Sequence, residues 1–550
     1  MSGSIDLQKG KSVKKRLSNG TVKEYTYTAK VYKHFKLLFD SEAEKLRFEE
    51  KLEHFKQFYG MKTMTDVFDF LLNDEVRKVY KSESEEHKQI LNKAAHANFV
   101  CENNSLFELV EKICSHQQIC SEVLIPTLLD HTGHVAEINW QCEKGHNLTW
   151  TSSKELGKNF SVNYSAYLGQ LCSGMAASQY ERFCDFLDIG VATKHFRQKT
   201  AITMSNVIGL VTRQSVQNAL VEEVASSSEN KISIMTDARH HCRKNSFHTD
   251  HVALGATTHK VINMQHITKD QEKSTQKHET VGCERMYAEF DKKGINVKVH
   301  IHDRNMSVNK TVKGRESVAN CNERWHATKS VTQGVKAIST GSKKNMGITW
   351  HPQLADKGAR IRNHLYHAID SCGGNGTELR RIIESCVPHF QNNHEACSEE
   401  SECKNPAYVP EFTVLTDSAA AKLLLNFLHS LTLYKNAQDY ALSKDTYYVE
   451  SFNNAMLIYL DKRVHMRNRT YEMRRDLAIL DWNEHVDRPF TSRCTKQQVQ
   501  NCRRNLGTKR YKKKSYKFVE EIWTLLTDVL KSNDEDSDSS SDDDSSDDDF

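Results

Sequence analysis

Four stretches decide the fold: KISIMTDARHH (231–241), HVALGATTH (251–259), KVINMQHIT (260–268) and INVKVHIHD (295–303). Each is an apolar, β-branched run set off by short polar breaks, which is how strands read in sequence. The first three follow one another closely and predict an antiparallel meander. Between the third and fourth lies HETVGCERMYAEFDKKG (278–294), an amphipathic helix in which Val281, Met286 and Phe290 can face a sheet. Asp237 lies near the end of the first run and Asp303 ends the fourth. A carboxylate buried there without a partner or metal is costly. Simple strand-end turn formation by Asp is the alternative.

The order β-β-β-α-β, with an acid near the end of the first strand and another at the end of the fourth, is the ribonuclease H-like arrangement. First and fourth strands lie side by side in such a sheet, which would bring Asp237 and Asp303 together. A helix near Met306 to Gly314 and a strand around SVANCNERWH (317–326) complete the expected mixed five-stranded sheet. From 329 to 441 the pattern is helical, as in TELRRIIESCVPHF (377–390) and SAAAKLLLNFLHSLTLYK (418–435), and interrupts the α/β core. The core resumes with DTYYVESFNNAMLIYLDKRV (445–464), a helix beginning near Thr446 that carries Glu450.

Outward from this core, the 550 residues divide by composition into further parts. Residues 1–24 read as a basic flexible arm, 25–98 as a helical module and 99–155 as a Cys/His segment with β-like runs. Residues 156–228 are helical, suited to DNA binding or dimerisation, and end in a serine-rich boundary. The core occupies 229–328 and 442–500, flanking the helical insertion at 329–441. A basic segment and helix (501–532) and an acidic tail (533–550) follow. That tail carries ten acids and no base, so the rest of the chain is formally +14 against +4 for the whole. A basic body attracts a phosphate backbone, while the tail has almost nothing to bury, solubilises, and could compete with DNA. No stretch approaches the apolar length of a membrane span, and MSGSIDLQKGKSVKKRL has no apolar segment after its charges, so an intracellular protein is expected.

Fifteen cysteines suit reduced thiols or zinc better than a disulfide framework. Cys114, Cys120, Cys142 and His146 are candidate zinc ligands; a hairpin holding buried thiols is the alternative. A second cluster, Cys372, Cys386, His389, His394, Cys397 and Cys403, contains enough ligands for a structural zinc that ties the insertion together. KRYKKK (509–514) offers Lys509, Arg510, Lys512, Lys513 and Lys514 for phosphate contact or nuclear import, a solvated helix end being the bland equivalent.

Cutting and joining phosphodiesters needs a nucleophilic oxygen, a stabilised phosphate and an assisted leaving group, which two Mg²⁺ or Mn²⁺ ions roughly 3.5–4 Å apart provide. Such hard ions take carboxylate ligands and keep several waters. Asp237, Asp303 and Glu450 are the candidate set. The strings TDARHHCRKNSFHTDHVALGATTH (236–259), VHIHDRNMSV (299–308), NERWHATKSV (322–331), HLYHAIDSCGGN (364–375) and TYYVESFNNAMLIYLDKRVH (446–465) resemble the core of eukaryotic cut-and-paste DDE transposases. The likeness is to the group with an all-helical insertion, which includes Mutator-like, hAT, P and Kolobok-type elements, and it runs from about Cys142 to Asn483.

The resemblance implies strand cleavage and transfer, binding to double-stranded DNA at transposon ends and target, a nuclear location and a homodimer or larger assembly. It implies Asp237, Asp303 and Glu450 as metal-binding catalytic residues. The group's Cys-or-Asp, x, x, His motif corresponds here to Glu323-Arg324-Trp325-His326, with Glu in place of the usual first residue. His326 would sit near the scissile phosphate, with Trp325 available for stacking and Arg304 for DNA contact; ordinary packing at a strand-to-helix junction is the alternative. Residues 1–95 contain no cysteine, so the compact zinc finger with which related transposases often begin is absent. A domesticated, catalytically inactive DNA-binding relative is the alternative function.

Overall fold

Apolar residues alternating with period two give a strand two usable faces, and here both are covered. The computed structural model describes residues 12–16, 22–26, 96–227, 231–242, 246–495 and 507–537. The chain divides into two compact units: 1–94 with 101–129 and 138–150, and the remainder. The first contains a hairpin of Ser12–Arg16 with Val22–Thr26, which overlaps residues 1–24, expected to be a flexible arm, and runs two residues past them. It also contains the helix Asn103–Ile119 and most of the strands Ile125–Thr132, Val135–Gln141 and Asn147–Thr151. Trp150 donates its indole N–H to the carbonyl of Ser105 at 2.6 Å, tying strand to helix. Residues 27–95, which hold nearly all of the expected N-terminal helical module, lie outside the described residues.

In the second unit, strands β1 (Lys231–His240), β2 (His248–Gly255), β3 (Val261–Thr268), β4 (Asn296–His302) and β5 (Ala319–Asn322) form one sheet in the order 3-2-1-4-5. The first three strands are antiparallel, whereas β4 runs parallel to both β1 and β5. A mixed five-stranded sheet of this order, surrounded by helices, fits a ribonuclease H-like core.

Side-chain parity sorts the sheet's residues between two cores. Ile232, Ile234, Ala253, Ile262 and Val297 pack with Met286 and Phe290 of the helix Thr275–Lys292, as the amphipathic pattern predicts, whereas Val281, expected on the same face, is only partly buried and outside this core. Met235, Val252, Leu254, Val261 and Ile301 face the other way. They join a core built by the helices Lys194–Ala225, Tyr447–Ala455, Asn468–His485 and Lys517–Ser537. Asp237 and Asp303 share the parity of Met235 and Ile301, so the alternation assigns them to the face that receives the helix Tyr447–Ala455.

Three polar side chains, two from TDARHH (236–241) and one from the start of β2, pin the chain that follows this helix. Arg239 donates to Leu460 O at 2.7 Å, and His241 and His248 bond Val464 O and Met466 O at 2.9 and 3.2 Å. Residues 331–441 form helices with a separate core, in which Val335, Leu354, Leu365, Ile383 and Leu424 are buried. Two of its helices start at side-chain caps: Asn375 accepts from Thr377 N at 2.8 Å, and Asp417 from Ala419 N at 2.8 Å.

Two boundaries differ from expectation. Lys509–Tyr511 is a strand paired with Phe490–Arg493, not a helix end. The last helix continues to Ser537, five residues into the stretch read as an unfolded acidic tail; residues 538–550 lie outside the described residues. No helix among the described residues is long and apolar enough to cross a membrane.

Candidate functional site

Strand register brings acids together at the carboxyl end of the parallel strands. His302 of β4 is level with Thr236 of β1 on one side and Asn322 of β5 on the other. The next residue in each case is an acid: Asp303, Asp237 and Glu323. The carboxyl end of parallel strands is where open α/β sheets present ligand-binding groups.

Asp237 is half-buried, and Asn453 donates its amide to Asp237 Oδ2 at 2.8 Å. Burial, then the charge of Asp303, and further the charge of Glu450, push the Asp237 carboxyl up to about 7 against the opposing hydrogen bonds. Asp303 Oδ1 is buried and has no hydrogen-bond partner among the described residues. An oxygen in that condition costs roughly 1–3 kcal/mol, more when charged, unless something else satisfies it.

Glu450 comes from the helix Tyr447–Ala455 and is exposed. Its carboxylate, that of buried Glu323 and a ring nitrogen of His326 all lie within 4.8 Å of one another. Burial and Glu323 raise the Glu450 carboxyl, His326 opposes this, and Asp303 adds to the rise. His326 Nδ1 is bonded directly to Glu323 Oε2, so the unusual Glu of the ERWH string orients the imidazole. Trp325 is half exposed, its edge set against His326 and the Lys329 ammonium 4.9 Å from its ring centre.

Two further members escaped the sequence reading. Glu279, on the helix Thr275–Lys292, is pushed up to about 8 by burial and then by Asp303 and Asp237, while Asn305 donates to it at 2.6 Å. Its signal was an acid one turn before Cys283 on a helix face otherwise buried through Gly282, Cys283, Met286 and Phe290. Asn453, three residues after Glu450, lies on the same side of its helix and docks that helix onto β1. The result is a set of acids, drawn from three neighbouring strands and two helices, whose charges act on one another; among the described residues Glu450 lies within 4.8 Å of Glu323 and His326, and Asp237 and Asp303 are not in that close group.

The expected DNA-contacting residues separate into two kinds. Lys509, Lys512 and Lys513 are exposed, with Lys509 over the ring of Phe490. Arg510 is partly buried in its strand, and Arg304 is exposed but donates to Thr432 at 2.8 Å. Lys514 is not available as expected, because its ammonium binds both oxygens of Asp481 at 2.6 and 2.7 Å.

In the first unit, Cys120, Cys142 and His146 converge with His116, and Cys114 is outside the group. Helix geometry explains the exchange: His116 is one turn before Cys120 and shares its face, whereas Cys114 points around the helix. Both ring nitrogens of His116 are buried without a hydrogen-bond partner among the described residues, which fits a missing electrophile. A tight turn, with Gly145 N bonded to Cys142 O at 2.8 Å and Gly145 at φ +82°, returns His146 to Cys142.

No curated protein matches the sequence. Among solved structures, the chain is similar to the Drosophila P element transposase strand transfer complex, at 8% identity and a TM-score of 0.27, over 60% of this chain and 94% of that one. That likeness is too distant to place any residue. A family model for Mutator-like transposases matches residues 98–403, more than half of the chain, including Asp237, Asp303, Glu323 and His326 but ending before Glu450. The chain belongs to the Mutator-like transposase family.

Proposed function

We propose that this protein is an active DNA transposase that cleaves transposon ends and joins them to target DNA, with Asp237, Asp303 and Glu450 as its metal-binding catalytic residues. The observation that carries the reading is the set of acids around the carboxyl end of β1, β4 and β5, where burial and the charge of Asp303 raise Asp237, Glu279 and Glu450. Such crowding is unfavourable in an empty protein and is relieved by cations. The fit to divalent metal rests on hard oxygen donors and on the unsatisfied Asp303 Oδ1. Mg²⁺ or Mn²⁺ ions bound there supply Lewis-acid stabilisation of the phosphate and a more acidic water.

The chain's own residues do the rest. Glu323 fixes the His326 ring so that its free nitrogen can hold a proton or bond a phosphate oxygen beside Glu450. Asn453 holds the Glu450 helix against Asp237. Exposed Trp325 offers a stacking face to an unpaired base, and Lys509, Arg510, Lys512 and Lys513 attract the backbone. His116, Cys120, Cys142 and His146 hold a structural Zn²⁺. Joining two DNA ends calls for a homodimer or larger assembly, acting in the nucleus.

The test uses labelled duplexes carrying the inverted repeats that flank the coding sequence, incubated with purified protein with and without Mg²⁺ or Mn²⁺. Metal-dependent nicking at the repeat boundary is expected. Binding to those ends with no cleavage in either metal would sink the catalytic reading and leave a DNA-binding relative.

A further inference from the structure

The helix Gly376–Phe390 and the helix Ser418–Ser430 are joined by residues 391–417, whose regular structure is one short turn of 3-10 helix, Glu402–Lys404. A connection of this length in a compact domain needs something to hold it. Hydrophobic anchorage comes late in the segment, at Phe412 and Leu415. Before that, the chain is drawn around four side chains: His389 at the end of the first helix, His394 and Cys397 in the loop, and Cys403 in the 3-10 turn.

One ligand atom from each of these four lies within 4.8 Å of the others, and all four residues are partly buried. The separations are informative. His389 Nδ1 is 3.2 Å from His394 Nδ1 and 3.5 Å from Cys397 Sγ, and His394 Nδ1 is 3.9 Å from Cys397 Sγ. A tetrahedron with Zn–N near 2.0–2.1 Å and Zn–S near 2.3 Å has N···N edges of about 3.3 Å and N···S edges of about 3.5 Å. Donor atoms are thus already close to the edges of a zinc coordination shell.

The proton inventory supports the same reading. His394 Nε2 is 3.1 Å from Asn392 Oδ1, an acceptor, so the ring proton sits on Nε2 and a lone pair on Nδ1 turns inward. That is the arrangement of a metal-bound imidazole fixed by a carbonyl behind it. Asn392 reaches this position from a left-handed backbone, φ +64°, and Asn393 N bonds Pro388 O at 2.9 Å, which folds the loop back over the helix end. The two other cysteines of the cluster are spoken for: Cys386 is packed in the helical core and Cys372 bonds Ala441 O at 3.3 Å.

We propose that His389, His394, Cys397 and Cys403 form a tetrahedral Zn²⁺ site that staples the 391–417 segment to the helix Gly376–Phe390. The role is structural, because all four positions of the ion are taken by protein. The site is independent of the acid cluster and of the proposed chemistry there.

The test uses the full chain. Zinc counting on purified protein should show one fewer equivalent in Cys397→Ser/Cys403→Ser than in the unaltered chain, and Cys120→Ser in the other Cys/His group should not remove this equivalent. Unchanged zinc content in the folded double variant would overturn the proposal. Should that variant fail to fold, the unaltered protein decides: alkylation of Cys397 and Cys403, read by peptide mass spectrometry, should be blocked with zinc bound and occur after chelation. Equal labelling of those two thiols before and after chelation overturns the site.

Discussion

Two groups of acids, one within the sheet and one at its strand ends and the adjoining helix, behave in opposite ways. Asp250, in the middle of β2, is fully enclosed yet charged: burial alone would raise its carboxyl, but the hydrogen bond and charge of His266, the charge of Arg475 and the Tyr471 hydroxyl hold it down to about 2. His266 Nδ1 and Tyr471 Oη lie 2.7 and 2.5 Å from its two oxygens. At the strand ends Asp237, and on the adjoining helix Thr275–Lys292 Glu279, are pushed up to about 7 and about 8 by burial and then by the charge of Asp303. The contrast separates two uses of a carboxylate. One is surrounded by His266, Arg475 and a hydroxyl and belongs to the architecture; the other has neutral donors but only like charges around it, which makes sense where a ligand brings the positive charge.

The two kinds of carboxylate should differ most in their effect on activity. Asp237→Asn, Asp303→Asn and Glu450→Gln should each lower end-cleavage rates on the order of 10³-fold or more without lowering the melting temperature of the metal-free protein. A loss of activity that tracks unfolding in circular dichroism would erase the distinction. Asp250→Ala should show the reverse, destabilising by about 3–5 kcal/mol in urea titrations because His266, Tyr471 and Arg475 lose their common partner. Little change in the urea midpoint would mean the network is ornamental.

Acid sharpens the same contrast. Because the folded Asp250 carboxyl lies near 2 against an ordinary value of 3.8, its contribution is present above that ordinary value and disappears as pH falls through about 2. The shift corresponds to roughly 2.5 kcal/mol, so Asp250→Asn should flatten the acid limb of the stability–pH curve. At the cluster the sign is opposite: a proton competes with the cation on Asp237 below about 7. Mn²⁺ affinity, measured by calorimetry, should therefore weaken as pH falls from 8 to 6, by at most about tenfold per pH unit for one proton. The smallest expected effect is that of Glu279→Gln. A carboxyl raised to about 8 is mostly protonated at neutral pH, and the amide keeps an oxygen for Asn305, so stability should move by no more than about 0.5 kcal/mol.

Much of this was legible in the chain because period-two alternation is a local property. The runs around Ile234, Val252, Ile262 and Ile301 announce strands, and their order fixes which ends are neighbours. Asp237 and Asp303 follow from that order, and Glu450 from the resemblance of the surrounding string. Glu279 and Asn453 were not legible for a different reason: each acts across a helix–sheet contact, and nothing in ETVGCERM or SFNN reveals which side of the helix meets an acid. Spacing along the sequence favours Cys114 over His116, whereas a helix selects by turn. A run of like charges gives Lys514 the same DNA-binding reading as its neighbours, yet its ammonium is held by Asp481, a partner on the helix Asn468–His485.

The edge of the sheet carries one more consequence. β3 is an outer strand, and at its first residue the amide of Asn483 both accepts from Val261 N at 2.7 Å and donates to Val261 O at 3.1 Å. The register of β3 against β2 also slips between Val261 and Asn263. An incoming strand from another molecule would meet a backbone already capped and out of step at the point where pairing would begin. A single asparagine in the helix Asn468–His485 thereby gives this edge a built-in guard against aggregation.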